Sequence, residues 1–131
     1  MQSRIKYNFT LLIVEDISSN YLFLESAIGR CFKKVLHAPS GLEAVELCKN
    51  NQDIGLVLMD VSMPVMNGFD ATRLIKDFRP DLPVIALTAY IIDQLEEKLK
   101  DAGCSDFMLK PFDYQELEGR IAQLLSSRQS R

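Results

Sequence analysis

Short apolar runs alternate along the chain with stretches whose apolar residues recur at helical spacing. Residues 9–14 (Phe-Thr-Leu-Leu-Ile-Val) read as a buried strand, residues 34–37 as a second, 54–59 as a third, 83–87 as a fourth and 104–109 as a fifth. The third run is aliphatic on both parities, which suits a strand covered on both faces. Between the runs, Tyr21, Leu24, Ala27 and Ile28 keep the period of a helix, with Ser18 or Ser19 as its cap and Gly29 at its end. Ser40 and Glu43 form a capping-box pattern, opening a helix to about Lys49 with Leu42, Val45 and Cys48 inward and Asn50-Asn51 as a stop. A third helix follows Gly68, carrying Phe69, Ala71, Leu74, Ile75 and Phe78, and closes at Arg79-Pro80. Asp93 to Glu96 caps a fourth helix, thinly apolar at Leu95 and Leu99 and stopped by Gly103. Asp113 to Glu116 caps a fifth, with Leu117, Ile121, Leu124 and Leu125 inward.

Strand and helix thus alternate five times, which predicts an α/β fold: a parallel five-stranded sheet with helices on both faces and right-handed connections. At 131 residues this is one domain. Its expected layout is an N-terminal extension over 1–8, the folded domain over 9–125 and a frayed polar tail over 126–131. A net charge of −3 gives no general attraction to nucleic acid or to an anionic membrane. No apolar run approaches the roughly 20 residues that span a bilayer, and the polar start lacks a signal-peptide core, so a cytoplasmic setting is expected. Cys31, Cys48 and Cys104 are far apart and fall in or beside apolar patterns, so they read as small hydrophobes rather than zinc ligands or disulfides. The single histidine, His37, closes an apolar run and reads as structural.

The strand ends change the picture. The first run ends on Glu15-Asp16, the third on Asp60, the fourth on Thr88 and the fifth on Lys110. If the strands are parallel, these groups meet on one rim, where open α/β sheets bind ligands. Carboxylates crowded there repel and raise each other's pKa. A hard divalent cation with oxygen ligands, such as Mg²⁺, relieves that repulsion. With Lys110 as a positive charge and Thr88 as a hydroxyl donor, the set suits phosphoryl transfer. Each residue also has a plainer reading. Asp60 caps a turn, Glu15-Asp16 favour a helix dipole, Thr88 is a strand former, Lys110 a surface charge and Phe107 core.

Five motifs in this order and spacing resemble the receiver domains of two-component response regulators: Glu15-Asp16; Asp60 with Met63-Pro64 and Asn67-Gly68; Thr88-Ala89; Phe107; and Lys110-Pro111. The resemblance runs from about residue 9 to residue 125. It implies a flavodoxin-like (βα)5 three-layer sandwich with strand order 2-1-3-4-5. It implies that Asp60 is the phosphoacceptor, that Asp16 binds Mg²⁺ directly and Glu15 through water, and that Ser62 lends a main-chain carbonyl. Thr88 would hydrogen-bond the attached phosphoryl group and Lys110 would pair with it, next to a cis peptide at Pro111. Phe107 takes the place of the switch aromatic, which is Tyr in many members, so no side-chain hydroxyl can secure its inward state. The donor would be a histidine kinase or a histidine phosphotransfer protein. The output would be a change in the face made by the fourth helix, fifth strand and fifth helix, which is also a possible homodimer surface.

The motifs most resemble receivers of hybrid sensor kinases, while a free-standing regulator and the front half of a longer one stay open. Ser62 and Tyr90 flank the acceptor, and Tyr90 is expected to screen the phosphoryl group from water. Two other classes stand beside this reading. A flavodoxin-like FMN carrier lacks its Ser/Thr-rich phosphate loop here, and Glu15-Asp16 would repel the phosphate. A binding module that is never phosphorylated does not need the complete acidic set.

Overall fold

A computed structural model describes residues 5–61, 67–89 and 93–129. The elements follow in the order β1 (Tyr7–Val14), α1 (Ser18–Ile28), a 3-10 turn (Gly29–Cys31), β2 (Phe32–Ala38), α2 (Gly41–Asn50), β3 (Ile54–Asp60), α3 (Gly68–Phe78), β4 (Val84–Thr88), α4 (Leu95–Ala102), β5 (Asp106–Leu109) and α5 (Tyr114–Gln129). The strands pair in parallel in the order β2-β1-β3-β4-β5. This is the flavodoxin-like order expected from the motifs.

Alternation of side chains along each strand divides the core in two. Leu12, Val14, Val57, Met59, Val84 and Ala86 pack on the face covered by α2, α3 and α4. Their neighbours Leu11, Ile13, Leu56, Leu58, Ile85 and Leu87 pack on the face covered by α1 and α5. Both parities are therefore buried, which is why these strands read as continuous apolar runs rather than alternating ones. Because all five strands point the same way, their carboxyl ends share one edge. Among the described residues no helix is long and apolar enough to cross a membrane.

The helix caps depart from the sequence pattern in instructive places. Ser18 and Ser19 lie inside α1, and neither caps it. The N-cap is Ile17, which has no side-chain cap bond; its own N–H donates to Glu15 Oε1 at 3.3 Å. Leu42 is exposed rather than inward, because the buried stripe of α2 is Gly41, Ala44, Val45 and Cys48 and Leu42 falls about 100° from its first member. Asp93 is not the N-cap of α4. That place is taken by Gln94, in a left-handed conformation at φ 60° and without a side-chain cap bond. Leu95 and Leu99 are buried as expected, joined by Ala102, and Gly103 ends the helix at φ 98°. Ser40 and Asp113 do cap, accepting from the N–H groups of Glu43 and Gln115. β2 begins two residues earlier than its apolar pattern, β5 two residues later, and α5 continues through the polar segment to Gln129.

Candidate functional site: an acidic rim with one lysine

Three carboxylates meet at the carboxyl edge of the sheet. Glu15 follows β1 directly, Asp16 is next to it, and Asp60 is the last residue of β3. One ligand oxygen from each lies within 4.8 Å of the others. Glu15 and Asp60 are buried, at 0% and 5% exposure, and Asp16 is exposed. Lys110 reaches in from the residue after β5. Its Nζ lies 3.0 Å from Glu15 Oε2 and 3.7 Å from Asp60 Oδ2. Thr88, buried, ends β4 on the same edge, and its carbonyl accepts the Lys110 N–H at 2.7 Å. The peptide between Lys110 and Pro111 is cis, as the motif led us to expect.

Burial pushes the Glu15 carboxyl above the usual carboxylate range. The hydrogen bond from Lys110 pulls it back, while the Asp60 charge adds to the rise. The rim thus holds more negative charge than one ammonium balances. Its donors are hard carboxylate oxygens, clustered and partly open to solvent through Asp16. That donor set fits a hard divalent cation.

Asp60 is placed from several sides. Asp60 pairs with Leu87 in the β3–β4 ladder, and the Val61 N–H donates to the Leu87 carbonyl at 3.1 Å. The first turn of α3 lies against the same peptide: a Cβ built on Gly68 would fall 2.5 Å from Val61 Cα and 2.6 Å from the Asp60 carbonyl oxygen. Asn67 caps that helix, its Oδ1 accepting from the Asp70 N–H at 3.0 Å. The sequence marked Asn67-Gly68 as a chain break; the close approach to Asp60 could be found only with the backbone in place.

The predicted site residues thus fall into three groups. Glu15, Asp16, Asp60, Thr88 and Lys110 come together. Phe107 does not join them: it lies in β5, partly buried against the α2–α3–α4 core, with its N–H donating to Asp106 Oδ1 (2.8 Å) and its carbonyl accepting from Arg120 (3.2 Å). Ser62 and Tyr90 lie outside the described residues. Beside the rim, Glu15, Asn20, Phe23, Leu24, Lys110 and Phe112 line an open pocket of about 460 Å³.

Comparison with known proteins agrees with this arrangement. The family model described as "Response regulator receiver domain" matches residues 11–122. Among curated relatives, Histidine kinase 3 of Arabidopsis thaliana is 28% identical over 89% of this chain, which spans only 13% of that kinase. The polar-differentiation response regulator DivK of Brucella ovis is 32% identical over 78% of this chain, matching 84% of its own length. Among solved structures, the receiver domain of the sensor histidine kinase PA1611 from Pseudomonas aeruginosa, with magnesium coordinated in its active-site cleft, superposes at a TM-score of 0.78 with 29% identity, covering 88% of this chain and 96% of that one. The Saccharomyces cerevisiae regulator Ssk1, solved with the phosphotransfer protein Ypd1, gives a TM-score of 0.78 and 29% identity, covering 88% of this chain and 87% of that one. With its fold, its rim and its family match in agreement, the chain belongs to the response regulator receiver domains of two-component signalling.

Proposed function

We propose that Asp60 is the phosphoacceptor of this receiver and that Glu15, Asp16 and Asp60, with the Ser62 carbonyl, hold Mg²⁺. The observation that carries the proposal is the meeting of these carboxylates with Lys110 on one strand-end rim. Bound there, the cation supplies positive charge against the oxygens of the transferring phosphoryl group. An Asp60 carboxylate oxygen attacks phosphorus as the phosphorus–nitrogen bond of a donor phosphohistidine breaks, and the electron pair of that bond returns to the imidazole. Lys110 pairs with the phosphoryl oxygens and the Thr88 hydroxyl donates to one of them. The new acyl phosphate adds roughly −1.5 to −2 charge to the rim. Thr88 and Phe107 carry that change to the face of α4, β5 and α5, a local charge event biasing a two-state element.

The donor is a histidine kinase or a histidine phosphotransfer protein. Ssk1, similar in fold and solved with Ypd1, supports the second. The docking side is the α1 side of the rim, where Ile17, Leu22, Phe23 and Tyr114 expose apolar surface beside the pocket at Lys110. The match to a plant histidine kinase supports a hybrid kinase as the parent chain. An α4–β5–α5 homodimer belongs to the same proposal.

Acetyl phosphate with Mg²⁺ provides the test. The wild-type protein should label on one aspartate, and Asp60→Asn should not. Equal labelling of the variant would remove Asp60 as acceptor. A protein that neither labels nor binds beryllofluoride would be a receiver fold used only for binding.

A further inference from the structure

Glu15 is the most enclosed acid of the rim, and its main chain is gripped from both sides by the end of β2. Its N–H donates to the Ala38 carbonyl at 3.0 Å. Its carbonyl lies 2.8 Å from Nε2 of His37. A carbonyl oxygen only accepts, so Nε2 must carry the proton, and this contact selects the tautomer. The imidazole also stacks on Tyr21 of α1, with ring centroids 3.9 Å apart and planes 9° from parallel. One side chain on β2 therefore joins the tip of β1 to the second turn of α1, on either side of the turn that carries Glu15 and Asp16. The other partners of the Glu15 carboxylate are Ile17, on the same turn, and Lys110, the group that must engage an incoming phosphoryl oxygen. With Lys110 turned to a phosphoryl oxygen, the turn is tied to the sheet by its two main-chain bonds to β2, from the Glu15 N–H to Ala38 and from His37 to the Glu15 carbonyl.

We propose that His37 is a positioning residue for the metal-binding acids: the Nε2–H bond to the Glu15 carbonyl fixes the β1–α1 turn, and the affinity for a divalent cation depends on it. The proposal rests on the reading that Glu15, Asp16 and Asp60 hold such a cation. His37 touches neither cation nor phosphoryl group and acts through the Glu15 backbone alone.

The test titrates Mg²⁺ alone into the whole chain by calorimetry and by amide NMR shifts. His37→Phe keeps a flat ring for Tyr21 and deletes the donor. It should bind Mg²⁺ about tenfold more weakly, the worth of one hydrogen bond. His37→Gln, whose amide nitrogen reaches as far as Nε2, should recover most of the loss. Wild-type affinity in His37→Phe overturns the proposal, and so does a Gln variant as weak as the Phe variant, since the loss would then be one of packing. A wild-type protein that binds no Mg²⁺ removes the cation reading itself, and this proposal with it. Should the Phe variant fail to fold, the wild type decides: with a single histidine, its imidazole nitrogen spectrum is unambiguous. An Nε2-protonated ring whose signals move on adding Mg²⁺ supports the role. An Nδ1-protonated ring, or signals that stay still, overturns it.

Discussion

The Lys110 ammonium lies 3.0 Å from the buried Glu15 carboxylate, closer than the 3.7 Å that separates it from Asp60. Its nearer partner is thus Glu15, one of the acids proposed to hold the cation, rather than Asp60, the proposed acceptor. On the proposed reading, lysine and cation would neutralise the same charge. Lys110→Met should bind Mg²⁺ more tightly than wild type, because the competing positive charge is gone. Without Mg²⁺ the same variant should lose about 3 kcal/mol of stability, the cost of stranding a buried charge. Denaturant melts with EDTA and with Mg²⁺ check both. The variant should still label with acetyl phosphate but leave the amide shifts of α4 and β5 unmoved.

Glu15 gives the protein, in the presence of EDTA, a pH dependence of definite sign. Its folded-state pKa is raised, chiefly by burial, with Asp60 adding to the rise. A raised carboxyl binds its proton more tightly in the folded state than in the unfolded one. The stability it contributes is full below its unfolded value of about 4.3 and is lost as pH rises through its folded value. In EDTA, Glu15→Gln should therefore flatten the fall in melting temperature with pH above that point. An unchanged slope would assign the dependence to other groups. Saturating Mg²⁺ should restore stability at neutral pH, by about 1.4 kcal/mol when the free metal is ten times its dissociation constant.

The reactivity of two thiols follows chiefly from burial. Cys48 has no exposure, and burial pushes its thiol to about 11. Cys104, only partly buried, is also raised to about 11, burial outweighing the pull of Thr72 and Lys76. The thiolate is the reactive form, so at pH 8 neither should be alkylated by iodoacetamide until denaturant is added. Peptide mapping by mass reads the outcome. Modification of native Cys48 would mean that the α2 face opens far more readily than its packing implies.

How much of this was legible beforehand differs from residue to residue, for physical reasons. The strands were legible because burial on both faces leaves an unbroken apolar run, and the Ser40 cap because its partner Glu43 lies three residues away. Glu15, Asp60 and Lys110 could be grouped because parallel strands put every carboxyl end on one edge. Leu42 was misplaced because a single apolar residue at a helix start does not fix the phase of the stripe. The Ser18 and Ser19 caps failed because α1 starts earlier than either needs, with Ile17 as the N-cap and both serines already inside the helix. The hold of His37 on Glu15 spans 22 residues and uses a main-chain acceptor, which carries no mark in sequence. Arg79 was read only as a helix end, yet its guanidinium donates to the carbonyls of Asn51, Gln52 and Ile54 and fastens the entry to β3.

Two glycines should respond oppositely to the same substitution. A Cβ on Gly68 would meet main-chain atoms, Val61 Cα at 2.5 Å and the Asp60 carbonyl at 2.6 Å, neither of which is a flexible chain end that can swing aside. Either α3 must retreat or the Asp60–Val61 peptide must move. Gly68→Ala should cost about 1–3 kcal/mol, the usual penalty of overpacking, and slow labelling by acetyl phosphate, because the displaced peptide carries Asp60, the proposed acceptor. Gly119 lies on the exposed side of α5 with nothing within 4 Å of its built Cβ. There alanine only removes the entropic burden of glycine in a helix, and Gly119→Ala should gain about 0.5–1 kcal/mol with labelling unchanged. Urea melts and labelling rates of the pair separate the two effects. If Gly68→Ala matched Gly119→Ala in both, the first turn of α3 would not be what holds the Asp60–Val61 peptide in place.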